Sequence, residues 1–261
     1  MRTINFFKYQ GTGNDFVLID NRDKHFDGDN ISLIHQLCDR RFGIGGDGLM
    51  LLENHPKLDF TMRYFNSDGR EASMCGNGGR CIAAFAVHIG AVSNPEDFSF
   101  MAVDGEHHAA YQNEIVTLKM IDVEEIKKGS DYTFLDTGSP HHIQFVKSTN
   151  EVDVRQQGKQ IRYSDTYAPN GTNVNFVEQT KANKLKVRTY ERGVEDETLA
   201  CGTGVVASAI SAHLKNPEYT DFDIDVLGGK LRVFFTPQEN SFKDIWLEGP
   251  AKFVFKGTIE I

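Results

Sequence analysis

Two stretches of this chain repeat one phrase: Glu71-Ala72-Ser73-Met74-Cys75-Gly76-Asn77-Gly78 and Glu197-Thr198-Leu199-Ala200-Cys201-Gly202-Thr203-Gly204. The offset, 201 − 75 = 126 positions, also lays Glu71 on Glu197 and Tyr64 on Tyr190. At nearly the same offset, 137 − 12 = 125, Thr12-Gly13-Asn14 falls on Thr137-Gly138-Ser139. A chance Cys-Gly-x-Gly pair would not bring its upstream neighbours along. The repeat points to an internal duplication whose period is too long for a solenoid, so two globular halves are expected, each around its own buried helix.

The 261 residues, 39% hydrophobic and 25% charged, can bury one or two sizeable cores and exclude a disordered or fibrous chain. A net charge of −9 without a Lys/Arg-dense stripe argues against a nucleic-acid partner. No apolar run approaches the roughly 20 residues of a membrane helix, so a cytoplasmic protein with no membrane partner is expected. Four cysteines are too few for a disulfide scaffold, and a reducing compartment keeps them as thiols.

Short β-rich runs bounded by Gly, Asn and Asp occupy residues 4–9, 16–20, 49–52, 60–65, 185–190, 223–227, 230–236 and 252–261, so most of the chain reads as sheet. Residues 32–41 place Leu33, Ile34, Leu37 and Cys38 on one stripe, which predicts an amphipathic helix and a core role for Cys38. The segments 81–87 and 205–212 are apolar or small on nearly every side. A helix that is hydrophobic all round is buried all round. Each is therefore expected to be the axis of a curled sheet, with Cys75 or Cys201 at its N-terminal mouth.

The first N–H groups of a helix lack internal partners and carry the positive end of the dipole, so they suit a carboxylate. Gly76, Gly78, Gly202 and Gly204 would let a ligand approach the backbone. The same field favours thiolate over thiol, making each cysteine a candidate general base. If both helix ends meet one ligand carboxylate across a cleft, one thiolate removes a proton from one face of the neighbouring carbon. The other thiol then protonates the opposite face, inverting the centre without cofactor or metal.

Four motifs carry a resemblance: Gly11-Thr12-Gly13-Asn14-Asp15-Phe16, Asn66-x-Asp68-Gly69, Cys75-Gly76-Asn77-Gly78-Gly79-Arg80-Cys81, and Tyr190-Glu191-Arg192-Gly193 followed by Glu197-x-x-x-Cys201-Gly202-Thr203-Gly204. In order and spacing they resemble the diaminopimelate epimerase family over essentially the whole chain. The resemblance implies an α/β (α+β) fold of two pseudo-symmetric domains, each a mixed sheet around a central helix, with the active site in the cleft between them. It divides the chain into residues 1–118, completed by the last strand at 251–261, and residues 119–250.

The activity implied is interconversion of LL- and meso-2,6-diaminopimelate, on the route to lysine and peptidoglycan precursors. By resemblance, Cys75 and Cys201 are the acid/base residues, and backbone groups of Gly76, Asn77, Gly202 and Thr203 hold the reacting carboxylate. Asn14 lies near the reacting amino group, Asn66, Asn173 and Arg192 bind the distal carboxylate, and Glu191 faces the distal ammonium. A guanidinium opposite a carboxylate allows paired charge-assisted hydrogen bonds. The partner is this small molecule; pairing of two chains is left open.

Two positions depart from the family pattern. Ser139-Pro140-His141 stands where Asn-Pro-His is common, replacing an amide by a hydroxyl, with His141 adjoining the expected cleft and able to tune a thiol. Gly48 stands where some members carry Gln. The stretch Gly43-Ile44-Gly45-Gly46-Asp47-Gly48 also matches G-x-G-x-x-G, but a helix precedes it and a strand follows, the reverse of a dinucleotide site. Glu71 and Glu197 are expected to cap or position their helices, and Cys81 to be a buried apolar filler.

A proline or hydroxyproline racemase shares the paired thiols but leaves the distal-group residues without a purpose. A redox or metal-binding thiol protein is weakened by the absence of any C-x-x-C pair.

Overall fold

The computed structural model describes residues 2–72, 75–239 and 241–261, and the chain divides into two compact units, Met1–Leu118 with Gly249–Ile261, and Lys119–Glu248. Ser73 and Met74 of the repeated phrase lie outside the described residues.

The first unit contains β1 (Thr3–Gly11), β2 (Asn14–Asp20), α1 (Ile31–Cys38), β3 (Gly48–Glu53), β4 (Phe60–Asn66), α2 (Gly76–His88), β5 (Phe98–Ala102), β6 (Gly105–Gln112) and β7 (Ile115–Lys119). Its outer strand comes from the far end of the chain: Lys252–Glu260 pairs antiparallel with β1. From that C-terminal strand through β1 to β7 in order, neighbours pair antiparallel, antiparallel, parallel, antiparallel, parallel, antiparallel, antiparallel.

The second unit contains β8 (Ile126–Lys128), β9 (Tyr132–Asp136), β10 (Pro140–Phe145), α3 (Val154–Arg162), β11 (Asn173–Lys181), β12 (Lys184–Glu191), β13 (Asp196–Thr198), α4 (Gly202–His213), β14 (Asp221–Val226), β15 (Gly229–Pro237) and β16 (Phe242–Pro250). Read as β8, β9, β10, β11, β12, β14, β15, β16, its neighbours repeat the same series of orientations, with β13 laid against the end of β12. The duplication is thus a duplication of topology, with α1 and α3, and α2 and α4, at matching crossovers. Each unit is a mixed sheet with helices on both faces, an α/β (α+β) arrangement.

Both faces of the central strands are covered, so those strands read as continuous apolar runs. In β2 and β3, Val17, Ile19, Leu49 and Leu51 join Ile34, Leu37 and Cys38 of α1 in one core. The alternate residues Phe16 and Met50 approach Gly78 of α2. Helix α2 is buried from Gly76 to Ala86, and α4 is buried along nearly its whole length. The expected axial helices are therefore present in both units. In the second unit Val174 and Phe176 of β11 pack with Val154 of α3, while Asn173 and Asn175 take the opposite face by the period-two alternation of a strand.

One reading is corrected and two are refined. The helix expected over residues 32–41 spans Ile31–Cys38, because Asp39 turns extended and its carboxylate accepts the N–H groups of Arg41 and Phe42. The carbonyl of Leu37 then receives N–H groups from Ile44 and Gly45 of the glycine loop. Of the two roles expected of Glu71 and Glu197, capping or positioning a helix, the ion pairs favour the second. Glu71 pairs with Arg63 at 2.9 and 3.1 Å, and Glu197 with Arg188 at 2.6 and 2.7 Å, ion pairs that brace the strand leading to each helix. Gly78 and Gly204 also pack closely within their own units: a Cβ on Gly78 would lie 2.7 Å from the tip of Met50, and one on Gly204 would lie 2.3 Å from Asn175 Oδ1.

Candidate active site

Cys75 and Cys201 each occupy the N-cap of the buried helix of their unit, with similar extended backbones (φ −104°, ψ 134° and φ −121°, ψ 110°). Their carbonyls accept the first helical N–H groups, from Gly79 at 2.7 Å and Val205 at 3.0 Å. The N–H groups of residues 76–78 and 202–204 therefore precede the first helical bond and carry the positive end of the dipole, the geometry that suits an anion. Cys75 is half-buried and Cys201 is 7% exposed. Cys38 and Cys81 differ from both. Burial pushes each of those thiols up to about 12, so they remain protonated and apolar in character.

The turn before the second strand of each repeat reaches the matching helix start. Gly13 and Gly138 both adopt left-handed backbones (φ 95° and 104°), which a side chain would strain. In the first unit this turn sets Asn14 so that its Oδ1 accepts from Nδ2 of Asn77 and its Nδ2 donates to Asp47 at 3.0 Å. Asn77 is wholly buried, and its Oδ1 accepts from Arg80 at 2.9 Å and Thr12 at 3.3 Å. Arg80 is fully buried too, donating to the carbonyls of Gly76 (3.2 Å) and Pro250 (3.5 Å) and to Thr12 Oγ1 (3.0 Å). Burial away from water pushes this guanidinium down to about 10.

In the second unit the matching turn places Thr137 Oγ1 to donate to the carbonyl of Thr203 at 2.8 Å, and Ser139 Oγ lies 3.1 Å from Thr203 Oγ1. His141, completely buried, puts Nε2 2.9 Å from Thr203 Oγ1 and 3.0 Å from Ser139 Oγ. Thr203 Oγ1 lies 3.5 Å from Cys201 Sγ, which connects the histidine to the thiol. Burial, and secondarily the charge of Arg192, push His141 down to about 3, so the ring is neutral.

Asn173 joins this group. Its Nδ2 donates to Ser139 Oγ (3.2 Å) and the carbonyl of Pro140 (3.1 Å), and its Oδ1 accepts the backbone N–H of Arg192 at 2.8 Å. The Arg192 guanidinium is half-buried, with Nη1 3.4 Å from the carbonyl of Asn170. Glu191 precedes it at the end of β12. Asn66 closes β4 in the first unit, exposed, its Oδ1 accepting from the Tyr64 hydroxyl at 3.0 Å.

The structure thus gathers Asn14, Gly76 and Asn77 about Cys75, and Ser139, His141, Asn173, Arg192, Gly202 and Thr203 about Cys201. The Gly48 departure also has a local cause: a Cβ there would lie 2.4 Å from the Phe65 carbonyl, so the backbone packing of β3 on β4 excludes a side chain without adjustment. Sequence reading missed Arg80, Thr12, Asp47, Asn175 and Thr189. Asn175 was legible in principle, since it lies two residues from Asn173 and hence on the same face of one strand.

The family model described as diaminopimelate epimerase matches residues 6–121 and 133–254. The diaminopimelate epimerase of Flavobacterium psychrophilum is 52% identical over 255 residues, covering 97% of this chain and 99% of the relative. That of Chlorobaculum tepidum is 42% identical, covering 96% and 99%. Among solved structures, a phenazine biosynthesis protein of the PhzF family from Bacillus anthracis superposes with a TM-score of 0.79 at 14% identity, covering all of both chains. A hydroxyproline epimerase from Agrobacterium vitis gives 0.70 at 13%, covering 99% of this chain and 92% of the other. At such identities these two structures share the fold and carry nothing about the reaction. With motifs, duplicated topology and near full-length identity in agreement, the chain belongs to the diaminopimelate epimerase family.

Proposed function

We propose that this chain is an isomerase that inverts one α-carbon of LL-2,6-diaminopimelate to give the meso isomer, with Cys75 and Cys201 as the two proton carriers and no cofactor. One thiolate takes the α-proton and the other thiol delivers a proton to the opposite face, so the sulfurs exchange roles in the reverse direction. The observation that carries the reading is the placement of each cysteine at the N-cap of a helix buried along its length. There the N–H groups of the first helical turn and the helix dipole favour both a substrate carboxylate and a thiolate. Backbone groups of Gly76, Asn77, Gly202 and Thr203 are assigned to the reacting carboxylate and Asn14 to its amino group. Asn66, Asn173 and Arg192 are assigned to the distal carboxylate, and Glu191 to the distal ammonium.

Family membership favours this over the proline-racemase reading, to which only fold-level likeness leads. No described helix is long and apolar enough to cross a membrane, in keeping with the cytoplasmic setting of lysine biosynthesis. The test is incubation with LL-diaminopimelate in deuterated buffer, following configuration and α-deuterium together. Wild type should yield the meso isomer with deuterium at the inverted carbon, and Cys75→Ala and Cys201→Ala should each stop inversion. Inversion at the wild-type rate in either variant would sink the two-thiol mechanism.

A further inference from the structure

Asn175 is completely buried on β11, facing α4, and Gly204 lacks a Cβ where this amide lies. The orientation of the amide follows from a neighbour with a single role. The main-chain carbonyl of His142 can only accept, and it lies 3.3 Å from Nδ2. On the other side Oδ1 receives the Thr189 hydroxyl at 2.9 Å. Nδ2 therefore also points at Nδ1 of His141, 3.0 Å away. A donor facing Nδ1 demands a lone pair there, which assigns the hydrogen of the neutral ring to Nε2.

The Nε2 hydrogen is directed at Thr203 Oγ1 and Ser139 Oγ. Ser139 Oγ already accepts from Asn173 and shares the His141 hydrogen, so its own hydrogen turns to Thr203. Thr203 Oγ1 is then an acceptor on the histidine side, and its hydrogen is left for Cys201 Sγ at 3.5 Å. We propose that Asn175 is a positioning residue for Cys201: by locking His141 in the Nε2–H form it directs a line of donors through Thr203 onto the sulfur and holds Cys201 as thiolate in the substrate-free protein. This rests on the reading of Cys201 as a proton carrier.

A hydrogen bond donated to the ionised form favours that form. The charged group acting on the ring is Arg192, from the turn after β12. On β10, His142 points to the opposite face, its Nδ1 2.7 Å from the Tyr167 hydroxyl, and β11 contributes the amides of Asn173 and Asn175. The device is not repeated in the first unit. There the residue matching Thr203 is Asn77, whose side-chain oxygen faces Thr12 and Arg80 and whose amide donates to Asn14.

The test uses the whole chain labelled with 15N-histidine, together with iodoacetamide alkylation followed across pH by peptide mass spectrometry, which resolves Cys201 from Cys75. His141 should show a protonated Nε2 and a bare Nδ1. Thr203→Val should move the alkylation midpoint of Cys201 up by about one pH unit, a tenfold loss of thiolate below the midpoint, and Thr203→Ser should restore it. Asn175→Asp, whose carboxylate accepts only, should transfer the ring hydrogen to Nδ1 and move the midpoint in the same direction. A wild-type spectrum with the hydrogen on Nδ1, or a Thr203→Val protein with the wild-type alkylation profile, overturns the proposal. The Val and Ser variants decide the matter if the Asp variant does not fold. Alkylation needs no turnover, so failure of the epimerase reading, seen as an active Cys201→Ala, is separable from failure here.

Discussion

Arg188 grips Glu197 with two parallel hydrogen bonds of 2.6 and 2.7 Å, and Arg63 holds Glu71 in the same way at the matching place in the first unit. The two pairs differ in exposure: side chains are 19% and 15% exposed in the Arg188 pair, 27% and 39% in the Arg63 pair. Arg188 also donates to the carbonyls of Thr149 and Val152, so removing its partner strands a largely buried charge. Glu197→Ala should cost about 2–3 kcal/mol of stability, and Glu71→Ala under about 1 kcal/mol. Urea unfolding of both variants checks the order; equal costs would show that burial does not set it.

His141 makes a pH prediction with a definite sign. The folded ring is pushed down to about 3 from an ordinary value of 6.5, so the unfolded chain takes up its proton first as pH falls. The stability it contributes is complete above pH 6.5 and is lost progressively between there and pH 3. His141→Gln, which cannot titrate, should lose about 1–2 kcal/mol less than wild type between pH 7 and pH 5. Parallel acid dependence of the two proteins would contradict the neutral ring. His142, pushed down to about 4 by burial, is present in both proteins and cancels.

Arg192 offers its guanidinium to one carbonyl, that of Asn170, while its backbone N–H bonds Asn173. Replacing the side chain leaves the backbone bond intact. Arg192→Ala should therefore lower kcat/KM for diaminopimelate by about a hundredfold, the scale of a charge-assisted pair, with thermal stability nearly unchanged. An unaltered kcat/KM would remove Arg192 from distal recognition.

The C-terminal strand exposes apolar side chains in succession: Phe253 at 42%, Val254 at 52% and Phe255 at 44%. Such an outer strand invites pairing with a second strand. We propose that two copies pair through this strand, and Val254→Lys combined with Phe255→Lys should then separate them. Light scattering after size exclusion should show the mass falling by half; a variant with the wild-type mass would place any pairing elsewhere.

The repeated phrase made the two axial helices legible, because helices apolar on every side are recognisable without knowing what surrounds them. Helix α3 was missed for the opposite reason. It is largely polar, and its inward stripe needs only Val154, Gly158 and Ile161, with Gly158 chosen because a Cβ would lie 2.4 Å from Tyr190 Cβ. Likewise β6, Gly105–Gln112, carries His and Gln on a strand whose burial depends on neighbours far along the chain. At the site, motif spacing gave the cysteines and the turn residues. The Arg80 network and the Asn175 line of donors arise from contacts 68 and 34 positions apart, which no local pattern encodes.

The outer strand of the first unit is made after the second unit. β1 precedes the second unit in the chain, yet its partner Lys252–Glu260 follows the whole of it. During synthesis β1 therefore waits with one edge unpaired, and the first unit closes only after the second has left the ribosome. The topology sets a schedule in which the later half folds around its own helix while the earlier half is held open. Deleting Lys252–Glu260 would thus strike the half that precedes the second unit.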